Sequence, residues 1–142
     1  MAADDLPDET RGDAPGRGRL AGRRILVVGG GQEDYGLEDP PIGNGRAMSI
    51  LFGREGVAVA VADIKAASAE ATAERVRAEG AEAAVVVADA SEEVAASSMF
   101  ADARDALGAI DGLVLNVGIG ADMGLRGTSV EESDRVMADF RG

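Results

Sequence analysis

Residues 24–63 read RILVVGGGQEDYGLEDPPIGNGRAMSILFGREGVAVAVAD. An apolar run over 25–28 stops in Gly29-Gly30-Gly31. A polar segment over 32–42 leads to Gly43-Asn44-Gly45. A helix-like segment over 46–55 follows, with Ala47, Ile50, Leu51 and Phe52 on or near one face and Gly56 to close it. A second apolar run over 57–62 ends in Asp63. Strand, glycine loop, helix, strand, acid is the layout of a dinucleotide-binding unit. A short, uninterrupted, largely β-branched run predicts a strand buried on both faces, as in a parallel sheet.

The same alternation continues downstream. An alanine-rich helix spans 66–79, with Glu70, Glu74 and Arg77 on its polar face and Gly80 at its end. A third strand covers 83–88 and is closed by Asp89. A helix over 91–107 has Ser91 as N-cap, an apolar stripe of Val94, Met99, Ala103 and Leu107, and Gly108 as terminator. A fourth strand covers 113–115, before Asn116-Val117-Gly118. Ser129 and Glu132 have capping-box spacing at the start of a last helix over 130–140. Short links between parallel strands require right-handed crossovers. The fold class is therefore α/β, a Rossmann-like doubly wound parallel sheet, for which the strand order 3-2-1-4 is expected.

With 142 residues there is room for one domain. Residues 1–20 are rich in Asp, Arg, Gly and Pro and poor in large apolar side chains, so they read as a disordered tail. Arg17, Arg19, Arg23 and Arg24 admit two readings, an anion-binding arm or a solvated leader. Residues 21–142 form the domain. A net charge of -12, with Lys65 the only lysine, argues against nucleic acid and anionic membrane partners. Without Cys or His there is no thiolate chemistry, no disulfide and no imidazole base or ligand. No metal site is expected. No apolar run reaches the roughly 20 residues needed to cross a bilayer, and a cytoplasmic location is expected.

The candidate site residues are Gly29, Gly43, Asn44, Gly45, Asp63, Asp89, Asn116 and Gly118. A strand handing over to a helix presents free N–H groups and the positive end of the helix dipole, which favour a phosphate. Side chains there would obstruct a pyrophosphate, so Gly29, Gly43 and Gly45 suit it, with Arg46 adding positive charge. Ordinary turns also use glycine. Asp63, at the end of the second strand, can accept hydrogen bonds from both ribose hydroxyls and would repel a 2′-phosphate, so NAD is expected over NADP. Asp89 suits the adenine amino group, yet it also has N-cap spacing to Glu92. Asn116 and Gly118 suit a close-approach loop over the adenosine, or an ordinary turn.

These residues together resemble the N-terminal half of the short-chain dehydrogenase/reductase family. Val28-Gly29, then Gly43-Asn44-Gly45-Arg46-Ala47, is similar to the family's Thr-Gly-x-x-x-Gly-Ile-Gly loop. Val61-Ala62-Asp63 resembles the acid of its NAD-preferring members, and Val87-Ala88-Asp89 its adenine-contacting aspartate. Residues 111–118 resemble the strand leading to Asn-Asn-Ala-Gly, and residues 125–137 the start of the fourth helix. The resemblance implies an NAD(P)-dependent oxidoreductase acting on a small carbonyl or alcohol, with homo-oligomers common.

Two departures stand out. Thirteen residues separate Gly29 from Gly43 where the family has three, and the additional segment over 32–41 carries Glu33, Asp34, Glu38 and Asp39. That segment is expected to loop outward, with Pro40-Pro41 returning the chain to the helix. Catalysis in the family uses a Ser, a Tyr-x-x-x-Lys pair and an Asn. Here Tyr35 is the only Tyr and has no Lys four residues on, Lys65 is remote from such a pair, Ser129 and Ser133 lie at the last helix, and Asp139 stands at the Asn position. No catalytic residue is carried over, and the expectation is a cofactor-binding half cut off before its catalytic centre. A non-catalytic nucleotide-binding or regulatory module and a methyltransferase-like S-adenosylmethionine binder are the alternatives.

Overall fold

The computed structural model describes residues 6–118 and 129–138, apart from the side chains of Glu132 and Val136. Its four strands are β1 (Arg24–Val28), β2 (Ala58–Asp63), β3 (Ala83–Val87) and β4 (Gly112–Leu115). Its helices are α1 (Asp8–Arg11), α2 (Asn44–Arg54), α3 (Ala66–Ala78), α4 (Glu93–Leu107) and α5 (Val130–Ala138). All strand pairs are parallel and the order is β3-β2-β1-β4, as the sequence predicts. Val28 is in register with Ala62 on one side and Leu115 on the other, and Asp63 with Val87. The residues that follow these positions therefore gather at one carboxyl edge of the sheet.

Period-two alternation divides the core into two layers. Val27, Val59 and Val61 pack with Ala69, Ala73 and Val76 of α3 on one face. Leu26, Val28, Ala60, Ala62 and Val86 pack with Met99, Ala103 and Leu107 of α4 on the other. These side chains are Val, Leu, Ala and Met, and each fully buried valine or leucine contributes about 1.5–3 kcal/mol. No helix among the described residues is long and apolar enough to cross a membrane.

Local details differ from the sequence reading. In α2 the buried face is Gly45, Ser49 and Gly53, while Leu51 is about half exposed. Periodicity marks the large residues, but the helix lies close on its neighbours through its small ones. A Cβ on Gly53 would be 2.9 Å from Val76 Cγ1. Helix α4 starts at Glu93 rather than Ser91, with no side-chain cap. The Ser91 hydroxyl instead donates to Asp89 Oδ1 at 2.6 Å. Val94 is 79% exposed and leaves the stripe to Met99, Ala103 and Leu107. The Glu132 partner of the expected capping box lies outside the described side chains, although Ser133 N–H does donate to the Ser129 carbonyl.

Residues 6–20 carry contacts that composition does not announce. Helix α1 is a single turn, and beyond it the backbone N–H groups of Arg17 and Arg19 donate to Glu55 Oε2 at 3.1 and 2.9 Å. The Arg19 guanidinium reaches Glu55 Oε1 at 2.8 Å. Arg54 donates to the carbonyls of Gly12 and Ala14 and grips Glu79 with two nitrogens at 3.0 and 2.8 Å. Composition weighs apolar burial, and apart from Leu20, which packs against the core, this arm is held by polar contacts. The hydrogen bonds from Arg19, side chain before backbone, are the main reason the Glu55 carboxyl is lowered from 4.5 to about 2. A carboxylate depressed in the folded protein stabilises it fully above the ordinary value and stops doing so as pH falls through the folded one. The amide resonances of Arg17 and Arg19 should therefore titrate near pH 2. A midpoint near 4.5, or an unchanged spectrum in Glu55→Gln, would show that Glu55 does not hold the arm.

Candidate dinucleotide site

At the carboxyl edge of the sheet lies a cavity of about 660 Å³. Gly29, Gly43, Asn44, Gly45, Asp63, Asp89, Asn116 and Gly118 all line it, so the eight residues singled out from the sequence come together in space. Four links deliver them: the loop from β1 into the start of α2, and the ends of β2, β3 and β4.

The loop after β1 is held by backbone and side chain alike. Gly29 has φ +75, a conformation that favours glycine, and its N–H and that of Gly30 both donate to the Ala62 carbonyl. A Cβ on Gly29 would lie 2.1 Å from the Asn116 carbonyl oxygen. The Gly29 carbonyl in turn accepts from Asn116 Nδ2 at 3.1 Å. A Cβ on Gly45 would lie 1.9 Å from that same Gly29 carbonyl oxygen. Thus the start of α2, the end of β1 and the end of β4 meet where only hydrogens fit. Gly43 is different: its added Cβ would meet only Gln32 Cγ, at an ordinary 3.8 Å.

Asp63 is partly buried and already has work within the protein. Its Oδ2 accepts from Gly31 N at 2.9 Å and its Oδ1 from Lys65 N at 3.0 Å. A Cβ on Gly31 would be 2.6 Å from Asp63 Oδ2, so Gly31 belongs with the site although the sequence reading passed it over. The third glycine of a run was the available signal. Asp89 forms a turn, accepting from Ser91 N at 3.0 Å as well as from its hydroxyl. These bonds, the hydroxyl's foremost, hold the Asp89 carboxyl below its usual value.

Arg46 does not add charge to the cavity. Its Nε donates to Thr72 Oγ1 at 2.9 Å, and a terminal nitrogen lies 3.4 Å from the Ser68 carbonyl, so it braces α2 against α3. Burial is the main reason its pKa falls below the ordinary guanidinium value.

The segment between the glycines is pinched at its base. Gln32 Oε1 accepts from Gly43 N at 3.1 Å, while Gln32 N and O both bond the Ser68 hydroxyl, at 2.6 and 2.9 Å. Beyond Gln32 the chain runs over the surface, and residues 33–39 are exposed. The expectation of an outward loop needs one amendment, because Glu33 and Tyr35 line the cavity. Glu33 turns inward to pair with Lys65, Nζ to Oε2 at 2.5 Å. That hydrogen bond is the first cause of a raised Lys65 pKa, with Asp34 and Asp63 adding to it. Tyr35, with φ +52, is the one described non-glycine residue of positive φ.

Steric contact ranks the glycines. Alanine gains about 1 kcal/mol over glycine inside a helix, whereas forcing atoms into a packed site costs about 1–3 kcal/mol. With a backbone oxygen 1.9 Å away, the second effect wins at Gly45. Gly45→Ala should lower the melting temperature by several degrees, and Gly43→Ala should change it little. Equal melting temperatures for the two variants would contradict this packing.

Comparison with known proteins agrees with the geometry. The sequence model of the family described as short chain dehydrogenase matches residues 41–139. The uncharacterized oxidoreductase YhxD of Bacillus subtilis (strain 168) is 33% identical over 115 residues, which are 80% of this chain and 35% of that protein. The short-chain dehydrogenase/reductase eriH of Hericium erinaceus is 36% identical over 105 residues, 70% of this chain and 42% of that one. A dehydrogenase from Burkholderia cenocepacia, solved with bound NADP, superposes with a TM-score of 0.66 at 30% identity, over 94% of this chain and 48% of its own. The chain thus spans between 35% and 48% of the length of these relatives. The family match, the relatives and the β3-β2-β1-β4 sheet agree, and the chain belongs to the short-chain dehydrogenase/reductase family of oxidoreductases.

Proposed function

We propose that the cavity binds the adenosine and pyrophosphate portions of a dinucleotide, NAD in preference to NADP. The chain is then the cofactor-binding part of an oxidoreductase that exchanges hydride between the nicotinamide and a carbonyl or alcohol carbon. The observation that carries this reading is the convergence of Gly29, the start of α2 and Asp63 on one cavity.

Each part has a physical role. The first-turn N–H groups of Asn44, Gly45 and Arg46 have no acceptor within the helix. Gly43 supplies no side-chain cap, and the first turn holds no acidic residue. Such a helix start favours a pyrophosphate. Both Asp63 oxygens accept one backbone N–H, which leaves each a further lone pair for a ribose hydroxyl. The same charge opposes a 2′-phosphate. Asp89 faces the adenine amino group, and Asn116 and Gly118 close over the adenosine. The Burkholderia cenocepacia neighbour is solved with NADP. For this chain the preference for NAD rests on the Asp63 carboxylate.

The bound cofactor supplies the hydride chemistry, and the residues present here bind and orient it. They do not supply proton transfer. The 142 residues contain no Tyr-x-x-x-Lys, and the residue four beyond Tyr35 is Asp39. Reaction with a small carbonyl or alcohol substrate would need proton-transfer groups in addition to these residues. The net charge of -12 opposes nucleic acid and anionic membrane partners, and a cytoplasmic setting is part of the same proposal.

Calorimetric titration tests the preference. The full 142-residue chain should bind NAD at least about tenfold more tightly than NADP, a difference of about 1.4 kcal/mol. Asp63→Asn should narrow that gap. Tighter binding of NADP, or greater thermal stabilisation by S-adenosylmethionine than by NAD, would overturn the reading.

A further inference from the structure

Lys65 is the one cation among the described residues that line the cavity, and it stands two residues beyond Asp63. A ribose held by Asp63 would bring its 2′ position close to this part of the wall. A free ammonium there would attract a 2′-phosphate and work against the Asp63 carboxylate. In this chain the ammonium is already engaged. Glu33, the second residue of the segment between the glycines, reaches back across the cavity wall to Lys65 at 2.5 Å. Its placement is not accidental to a loose loop. Gln32 immediately before it is fastened to Gly43 and to Ser68, so the carboxylate leaves from an anchored position.

We infer that Glu33 is a specificity-determining residue, which withholds Lys65 from a 2′-phosphate and so adds to the discrimination against NADP. This rests on the dinucleotide reading above. Glu33 acts through Lys65, whose ammonium it holds in an ion pair at the cavity wall. It therefore assigns a function to the acidic segment that interrupts the glycine loop: beyond bridging Gly29 and Gly43, it places a counter-charge beside Asp63. Both partners are about half exposed, so solvent screens the pair and its effect is a matter of several-fold, not of orders of magnitude.

The experiment is a double-mutant cycle on the full chain, with NAD and NADP titrated calorimetrically at low salt. Glu33→Gln should raise the ratio of NADP to NAD affinity by about three- to tenfold. In a Lys65→Gln background the same change should have little effect on that ratio, because the cation it frees is gone. The gain should shrink as ionic strength rises. Glu33 is exposed, so the variant's circular dichroism and melting temperature should match the parent's and separate a binding change from a folding one. A ratio unchanged by Glu33→Gln, while NAD still binds, overturns the inference and leaves the dinucleotide site standing. A rise of equal size in the Lys65→Gln background also overturns it, since Lys65 would then play no part. Failure of every form to bind either nucleotide overturns the dinucleotide reading and this inference with it.

Discussion

At the carboxyl edge of the sheet, the carbonyl of Gly29 is approached from two sides. Asn116 Nδ2 donates to it at 3.1 Å, and the α-carbon of Gly45 lies so close that a Cβ would come within 1.9 Å. This contact joins the ends of β1 and β4 to the first turn of α2. It depends on glycine at two positions and on a short amide side chain at a third. If it were lost, α2 would have to move away from the sheet. The N–H groups of its first turn would then no longer open on the cavity beside Asp63. Parallel pairing of β1 with both β2 and β4 holds the three ends level, and the two aliphatic layers keep the sheet from shearing.

The fold was legible because its signal is periodic and repeated. Buried strands such as 25–28 and 57–62 are continuous aliphatic runs, and each is followed by a helix ended by glycine. The strand order expected of a Rossmann-like sheet was found. The misplacements share one physical origin: side-chain type does not say which partner a group will choose. Ser91 could cap a helix or bond Asp89, and it bonds Asp89. Arg46 could face the cavity or brace α3, and Thr72 and Ser68 hold it against α3. In α2, large apolar residues suggested the buried face, but close packing selected glycine and serine.

The site was legible as a set of residues and less so as a set of contacts. All eight residues singled out line one cavity, yet several have structural duties that no spacing rule announces. Asp63 fastens Gly31, and Asn116 fastens Gly29. The interruption between Gly29 and Gly43 hides the glycine pattern, and the family match begins only at residue 41. The fold closes the gap with Gln32, whose amide oxygen receives the Gly43 N–H and brings the two ends of the segment together. With its ends pinched together in this way, the added length of the segment costs little in closure entropy.

The central claim is that the Gly29–Gly45–Asp63 edge is a dinucleotide site. Its most direct test is a titration of isotopically labelled 142-residue chain with NAD, followed by amide resonances. Saturable shifts concentrated at Gly29, Gly31, Asn44, Gly45, Asp63 and Asn116 are the predicted result. Saturable shifts that leave these amides in place and gather elsewhere would contradict the claim, as would a folded spectrum that NAD does not change.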